Sequence, residues 1–303
     1  FHFEVVGDIL TPEILNFLKT VPPGMFQFEI GIQTTTESVQ ETIQRKQSNQ
    51  KLFETIQQLV EQDRIHFHCD LIFGLPGETL EDIKQSFSQV IALRPHELQL
   101  GFLKFLPGAP INDQVGKHQY RYQSTPPYEL ISHQNLSAEE VLYLKQFEDI
   151  FDRYYNSKRF RFSIHYLLEK LDPVTLFNRL LEYHGSHGLL MNPVSLDEYY
   201  RIFRDTFYPT PTLKELDLLK LDYLYTQRSF RLPGILSSKS SPPVKTWKKD
   251  RKTPVIPFDH EIEIAGSQAI LKVTANPVYY AIAHSQNGEG YFRRPTVNAI
   301  SDA

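Results

Sequence analysis

Residues 1–106 alternate between two hydrophobic periods. Residues 1–6 are apolar, aromatic and β-branched, which predicts a strand. Thr11-Pro12-Glu13 then supplies an N-cap, a proline at the first helical position and an acid in the first turn. Ile14, Leu15 and Leu18 follow at helical spacing, and Pro22-Pro23-Gly24 ends that helix. Residues 26–32 predict a second strand. Thr36 starts a helix carrying Val39 and Ile43, and Leu52, Ile56, Leu59 and Val60 mark another. Residues 66–73 predict a third strand, closed by Gly74-Leu75-Pro76-Gly77. Thr79 caps a helix whose stripe is Ile83, Phe87, Val90 and Ile91. Residues 98–106 predict a fourth strand, ended by Pro107-Gly108. About four strands separated by helices imply an α/β fold, a parallel sheet or barrel with right-handed crossovers. Ligands of such folds gather beyond the carboxyl ends of the strands.

The period changes after residue 115. Residues 116–136 are polar, Tyr-rich and proline-containing and read as a connector. Beyond it the pattern is helical, over residues 137–303. Ser137 with Glu140 forms a capping-box signature, followed by Val141, Leu144, Phe147, Ile150, Phe151 and Tyr154. Four further helices are expected: around Ile164–Leu171, from Asp172-Pro173, over 195–207 and over 212–225. Residues 232–257 are rich in Pro, Ser and Lys and read as a loop. Short strands are expected over 261–274 and 278–283. Aromatic residues at helical spacing in this half are read as core.

Charge and cysteine content narrow the functional classes. The formal net charge is −4 over 303 residues, which argues against a general nucleic-acid or anionic-membrane binder. No apolar run approaches the ~20 residues of a membrane span. The N-terminus has neither the basic region nor the cleavage site of a signal peptide. The single cysteine, Cys69, lies inside the third strand and reads as a small buried hydrophobe. It excludes an intrachain disulfide and fits a reducing cytoplasm. His165, His184 and His187 have no carboxylate at clear ligand spacing and read as core or turn histidines. The basic run of Lys245, Lys248, Lys249, Arg251 and Lys252 reads as a solvated loop.

Three stretches carry a family resemblance. The first is Phe28-Glu29-Ile30-Gly31-Ile32-Gln33 followed by Glu41-Thr42-Ile43-Gln44-Arg45-Lys46. The second is Asp70-Leu71-Ile72-Phe73-Gly74-Leu75-Pro76-Gly77-Glu78-Thr79. The third is residues 98–106 with Pro107-Gly108-Ala109-Pro110. In this order they resemble the second half of a radical S-adenosylmethionine (SAM) barrel, and so a partial parallel (βα) barrel, over about residues 1–112. The likeness is to the cobalamin-binding branch, which is loosely associated with anaerobic magnesium-protoporphyrin ester cyclases. The helical region resembles an uncharacterised C-terminal domain of those proteins.

The resemblance implies a SAM pocket. Arg45 would meet the methionyl carboxylate, for which a guanidinium is well suited. Gln33 would serve the same end of the ligand. Asp70 and Glu4 would accept from ribose hydroxyls or the amine. Gly74 and Gly77 would let adenine lie against backbone, and Lys104 sits on the strand that passes the adenine.

The family's chemistry also needs a [4Fe–4S] cluster held by three cysteines in a CxxxCxxC loop, which this chain lacks. The chain opens directly in strand residues without Met and is therefore expected to be a fragment of a longer polypeptide. Its parent would cleave SAM reductively, with cobalamin a candidate second cofactor, to methylate, rearrange or cyclise a small-molecule substrate. The fragment alone is expected to be inactive. Its implied partners are the missing N-terminal half and, through an exposed sheet edge, a second copy of the chain. A cluster-free nucleotide-binding or scaffold module is the competing expectation, and an unrelated complete barrel using Asp70, Glu78 or Lys104 as acid–base groups is a third.

Overall fold

The computed structural model describes residues 1–226, 232–237, 245–246, 254–265, 268–284 and 295–300. The chain divides into two compact units. One comprises residues 1–152 and 172–177, the other 153–171 and 178–303.

The first unit is built on a four-stranded parallel sheet of β1 (His2–Val5), β2 (Gln27–Gln33), β3 (His66–Phe73) and β4 (Glu97–Phe102), in that spatial order. Between the strands run α1 (Pro12–Leu18), α2 (Glu37–Thr42), α3 (Asn49–Gln62) and α4 (Leu80–Ala92). The expected partial barrel is therefore present. Local signals explain the helix starts. Thr11 Oγ1 accepts from the Ile14 amide with Pro12 behind it, and Thr79 forms a reciprocal capping box with Asp82.

Strand alternation explains the sheet's two faces. Phe28, Ile30 and Ile32 of β2 share one face with Phe67, Cys69, Leu71 and Phe73 of β3 and are buried. Leu52, Ile56, Leu59, Ile83, Phe87, Val90 and Ile91 complete this core from α3 and α4. Each such side chain contributes roughly 1.5–3 kcal/mol on burial. Cys69 is fully buried here, as expected, and burial pushes its thiol up. The other face carries His2, Glu4, Glu29, Gly31, His66, His68, Asp70, Glu97 and Gln99, as the parallel register requires.

The apolar run 98–106 does not remain in the sheet to its end. β4 stops at Phe102: the Leu103 amide still donates to Phe73, but its carbonyl accepts from Leu130, Lys104 bridges Glu129 and the Phe105 amide donates to Tyr128. That partner belongs to the expected connector. It contains α5 (Val115–His118) and a two-stranded ladder of β5 (Arg121–Tyr122) and β6 (Leu130–Ser132). The connector packs with the first unit, as does α6 (Ala138–Phe151). Tyr120 donates to the Gly74 carbonyl at 3.1 Å, and Phe87 meets Phe147, Phe151 and Phe177 edge to face.

The second unit contains α7 (Arg161–Leu168), α9 (Leu196–Phe207) and α10 (Leu213–Thr226), with most of α8 (Pro173–Ser186), whose first turn belongs to the other unit. An antiparallel sheet of β7 (Lys245–Thr246), β8 (Pro254–Ala265), β9 (Gln268–His284) and β10 (Pro295–Ile300) closes it, in the order β10-β9-β8-β7. The strands are longer than their sequence signal. The segment 261–274 is two strands of a hairpin, with Ala265 paired to Gln268, and β9 runs through Pro277. Apart from Lys245, the basic run lies outside the described residues, as do 238–244 and 247–253 of the expected loop.

The core of this unit joins Phe162 of α7, Leu218, Leu221 and Leu224 of α10, and Ile256, Phe258 and Tyr280 of the sheet. His184 is buried beside Tyr154 Oη (2.9 Å) and His187 stacks on Tyr183, matching their reading as core and turn histidines.

Two buried carboxylates anchor α10. Asp222 accepts from the amides of Phe162 and Ser163 at 2.7 and 3.0 Å, which caps α7, while burial pushes its carboxyl up to about 7. Asp217 meets Lys220 Nζ (2.8 Å), the amides of Asp259 and His260 (2.8 and 3.0 Å) and His260 Nδ1 (2.9 Å).

Candidate functional site

The site grows from the end of β2. Between Gly31 and Gln33 the β2–β3 register slips, and Gln33 takes a left-handed backbone (φ +69°). The slip folds the Gln33 side chain back over Gly31, where a Cβ would stand 2.5 Å from Gln33 Nε2. Glycine is therefore required at 31 for Gln33 to lie there. The Gln33 Oε1 atom is buried without a hydrogen-bond partner. Arg45, past the end of α2, is placed by its own amide on the Gln40 carbonyl (2.8 Å). Its guanidinium donates to the Gly31 carbonyl and, through Nε, to Gln47 at 2.8 Å. Burial lowers its pKa while Asp8 raises it, and its ordinary value is high enough to leave it charged.

Asp70 pairs in register with Gly31 and so joins this group from β3. Burial lifts its carboxyl to about 6, opposed by His68 and reinforced by Glu29 and Glu4. Asp70 Oδ1 is buried and makes no hydrogen bond. Glu4 pairs in register with Glu29 and is exposed. The structure thus brings Gln33, Arg45 and Asp70 together around Gly31, with Glu4 on the same sheet face.

The two glycines and the lysine stand differently. Gly74 and Gly77 both have left-handed backbones (φ +86° and +84°) in the turn after β3. Glu78 holds that turn, accepting from the amides of Gly74 and Leu75 at 2.9 and 3.2 Å. Burial outweighs these hydrogen bonds and lifts the Glu78 carboxyl to about 8. A Cβ on Gly74 would lie 2.0 Å from Leu130 Cδ2, so the space above it is taken by β6, whereas Gly77 is open. Lys104 is exposed and bridges Glu129 through its backbone.

The sequence reading missed a further group on the polar face. His68 Nε2 lies 3.4 Å from Glu29 Oε2 and 3.7 Å from Asp70 Oδ1, and His2 Nε2 lies 3.4 Å from the same Glu29 oxygen. The strand period of two was the available signal, since it sets Glu29 with Gly31 and His68 with Asp70.

Residues 116–269, more than half of the chain, match the family described as protein of unknown function (DUF4080). The chain belongs to the DUF4080 family. Residues 1–90 of this DUF4080 protein match the radical SAM superfamily, so the likeness read from the strand-end motifs is borne out. Over 98 residues the chain is 31% identical to the cobalamin-dependent radical SAM methyltransferase TokK of Streptomyces tokunonensis, covering 32% of this chain and 14% of that protein. Over 93 residues it is 30% identical to the heme chaperone HemW of Bacillus subtilis (strain 168), covering 31% and 24%. The DUF4080 chain therefore spans under a quarter of the length of these curated relatives. Among solved structures, coproporphyrinogen III oxidase (HemN) from Escherichia coli matches at 20% identity and a TM-score of 0.32, covering 49% of this chain and 38% of that one. Among the described residues, no helix is long and apolar enough to cross a membrane.

Proposed function

We propose that this chain supplies half of a SAM-binding pocket to a radical SAM enzyme of the reducing cytoplasm, and is inactive without the rest of that polypeptide. The observation that carries the reading is the convergence of Gln33, Arg45 and Asp70 on Gly31. Two of them hold buried oxygens that make no hydrogen bond, Gln33 Oε1 and Asp70 Oδ1. Unsatisfied buried acceptors are costly; the SAM amine would satisfy Gln33 Oε1, and the Asp70 carboxylate would accept from the ribose hydroxyls. Arg45 presents a charged donor at the same place, suited to the methionyl carboxylate. Glu4 adds an acceptor at the rim.

SAM, once reduced, supplies the radical chemistry of such enzymes. This chain's residues bind and orient it. They do not fit an iron–sulfur cluster, because that needs three thiolates and the one cysteine is buried in β3. The cluster would be held by residues outside this chain. Consistent with that arrangement, β1 is an edge strand and the exposed Phe1, Phe3 and Val6 lie on it or beside it. This edge would receive the preceding strands of the same polypeptide. A second copy of the chain is the competing occupant.

A cobalamin-assisted methylation, rearrangement or cyclisation of a small molecule would fit the likeness to TokK, a cobalamin-dependent radical SAM methyltransferase, and a porphyrin-type ester is one candidate substrate. The test uses the full-length protein, prepared without oxygen. Iron and sulfide are counted, and conversion of SAM to 5′-deoxyadenosine is assayed beside Gln33→Ala and Arg45→Ala. About four irons, with cleavage lowered at least tenfold by each substitution, is the expected result. A folded full-length protein without cluster or cleavage would overturn it in favour of a nucleotide-binding or scaffold module.

A further inference from the structure

We propose that the polar face of the parallel sheet holds a divalent transition-metal site, formed by Glu29 and His68 with Asp70 and His2 completing it. The site adjoins the proposed SAM pocket and shares Asp70 with it. Three adjacent strands supply it: His2 from β1, Glu29 from β2, and His68 and Asp70 from β3. One donor atom each from Glu29, His68 and Asp70 can be chosen such that all lie within 4.8 Å of one another.

The individual distances discriminate between two arrangements. Charge-assisted hydrogen bonds between imidazole and carboxylate run about 2.7–2.9 Å. Here His68 Nε2 stands 3.4 Å from Glu29 Oε2 and 3.7 Å from Asp70 Oδ1, and His2 Nε2 stands 3.4 Å from Glu29 Oε2. Donor atoms about 2.0–2.2 Å from a shared ion stand roughly 2.8–3.6 Å from each other, so the two 3.4 Å spacings suit ligands around an ion, and Asp70 at 3.7 Å is within a small side-chain adjustment of it.

A second observation points the same way. Asp70 Oδ1 is buried, faces His68 and makes no hydrogen bond. An ion between them would satisfy it. Its use there leaves the other carboxylate oxygen for a ribose or amine. The side chains stand on paired strands rather than loops, which holds them in place before any ion arrives.

The donor set defines the ion. Two imidazoles and two carboxylates, without thiolate, suit Zn²⁺, Fe²⁺, Co²⁺ or Mn²⁺ rather than a soft Cu⁺. The bonds would be coordination bonds only, with both histidines neutral and no electron transferred.

The test uses the 303-residue chain, whose lone cysteine is buried and so removes thiolate coordination from the outcome. Co²⁺ is titrated and its visible absorption followed, with Zn²⁺ binding measured by calorimetry. One ion per chain is expected. His68→Gln and Glu29→Gln should each weaken binding at least tenfold, with circular dichroism unchanged, and Asp70→Asn should alter the Co²⁺ spectrum. Gln33→Ala should leave binding intact, which separates this site from the SAM pocket. His187→Ala, at an exposed residue just past the end of α8, is the control for adventitious binding. Absence of binding, or binding that survives His68→Gln and Glu29→Gln, would overturn the proposal and leave the cluster as ordinary histidine–carboxylate pairs.

Discussion

In the second unit, four nitrogens surround the Asp217 carboxylate at 2.8–3.0 Å, and the carboxylate and its Lys220 partner are almost fully buried. On the sheet of the first unit, Glu29, His68 and Asp70 are half-buried, His68 stands 3.4 Å from Glu29 and 3.7 Å from Asp70, and a carboxylate oxygen is left unsatisfied. Both groups mix acids with bases, yet they answer different demands. Around Asp217 the protein itself fills every coordination position, tying α10 to β8. On the sheet, Asp70 Oδ1 is buried without a hydrogen bond from the protein. A satisfied buried network reports on the fold, and an unsatisfied one reports on what the fold binds.

The largest expected effect breaks the satisfied side. Asp217→Ala leaves the buried Lys220 with the longer carboxylate contact to Asp259 (3.5 Å), and the amides of Asp259 and His260 unmet. It should cost about 3–5 kcal/mol in urea unfolding. The double change Asp217→Leu with Lys220→Met should cost less than Asp217→Ala, because the buried ammonium is removed with its carboxylate and only the less buried Asp259 loses a partner. Equal or greater loss in the double variant would show that this network is no different in kind from the sheet cluster.

Next comes the turn that borders the candidate pocket. Gly74→Ala forces a side chain into Leu130 at a left-handed backbone position and should cost ~1–3 kcal/mol. Adding Leu130→Ala should relieve the clash but not the backbone strain. Thermal unfolding of the three variants separates the two contributions.

A smaller effect is a slope with pH. Burial raises the Glu78 carboxyl from its ordinary range to about 8. The folded state therefore binds a proton that the unfolded state has released between about pH 4.5 and pH 8. That contribution to stability is complete below about pH 4.5 and is lost as pH rises through about 8. Glu78→Gln keeps an acceptor for the Gly74 and Leu75 amides and should flatten this fall, as read by urea midpoints across that window.

The smallest effect belongs to the sheet cluster. His68→Gln and Glu29→Gln should shift stability by less than ~1 kcal/mol while acting strongly on ion binding. A loss as large as that of Asp217→Ala would place the cluster among structural networks.

Much of the first unit is legible in its sequence because strand and helix periods alternate cleanly and caps such as Thr79 with Asp82 are local. Gln33, Arg45 and Asp70 are legible through their motif order. What places them together, the register slip at Gly31 and the left-handed Gln33, depends on a neighbouring strand. The period of two marks the face of Glu29 and of His68 but not the register that sets them side by side. The apolar run places Lys104 in a strand, whereas Lys104 and Phe105 pair with the connector instead of the sheet. In the second unit, Asp217, Lys220 and Asp222 look like the solvent side of α10. Their partners lie about 40 to 60 residues away, beyond the reach of a helical pattern.

The hydrogen bond from Tyr120 to the Gly74 carbonyl, and the seating of Leu130 over that glycine, bear on how this architecture can be recombined. Residue 116 is where the DUF4080 match begins, yet the segment just after it is the lining of the radical SAM turn. A chimera joined at 116 would graft a foreign insole beneath Gly74-Leu75-Pro76-Gly77. Exchange of C-terminal regions between relatives calls for a junction beyond α6, so that the turn keeps the tyrosine and leucine that shape it.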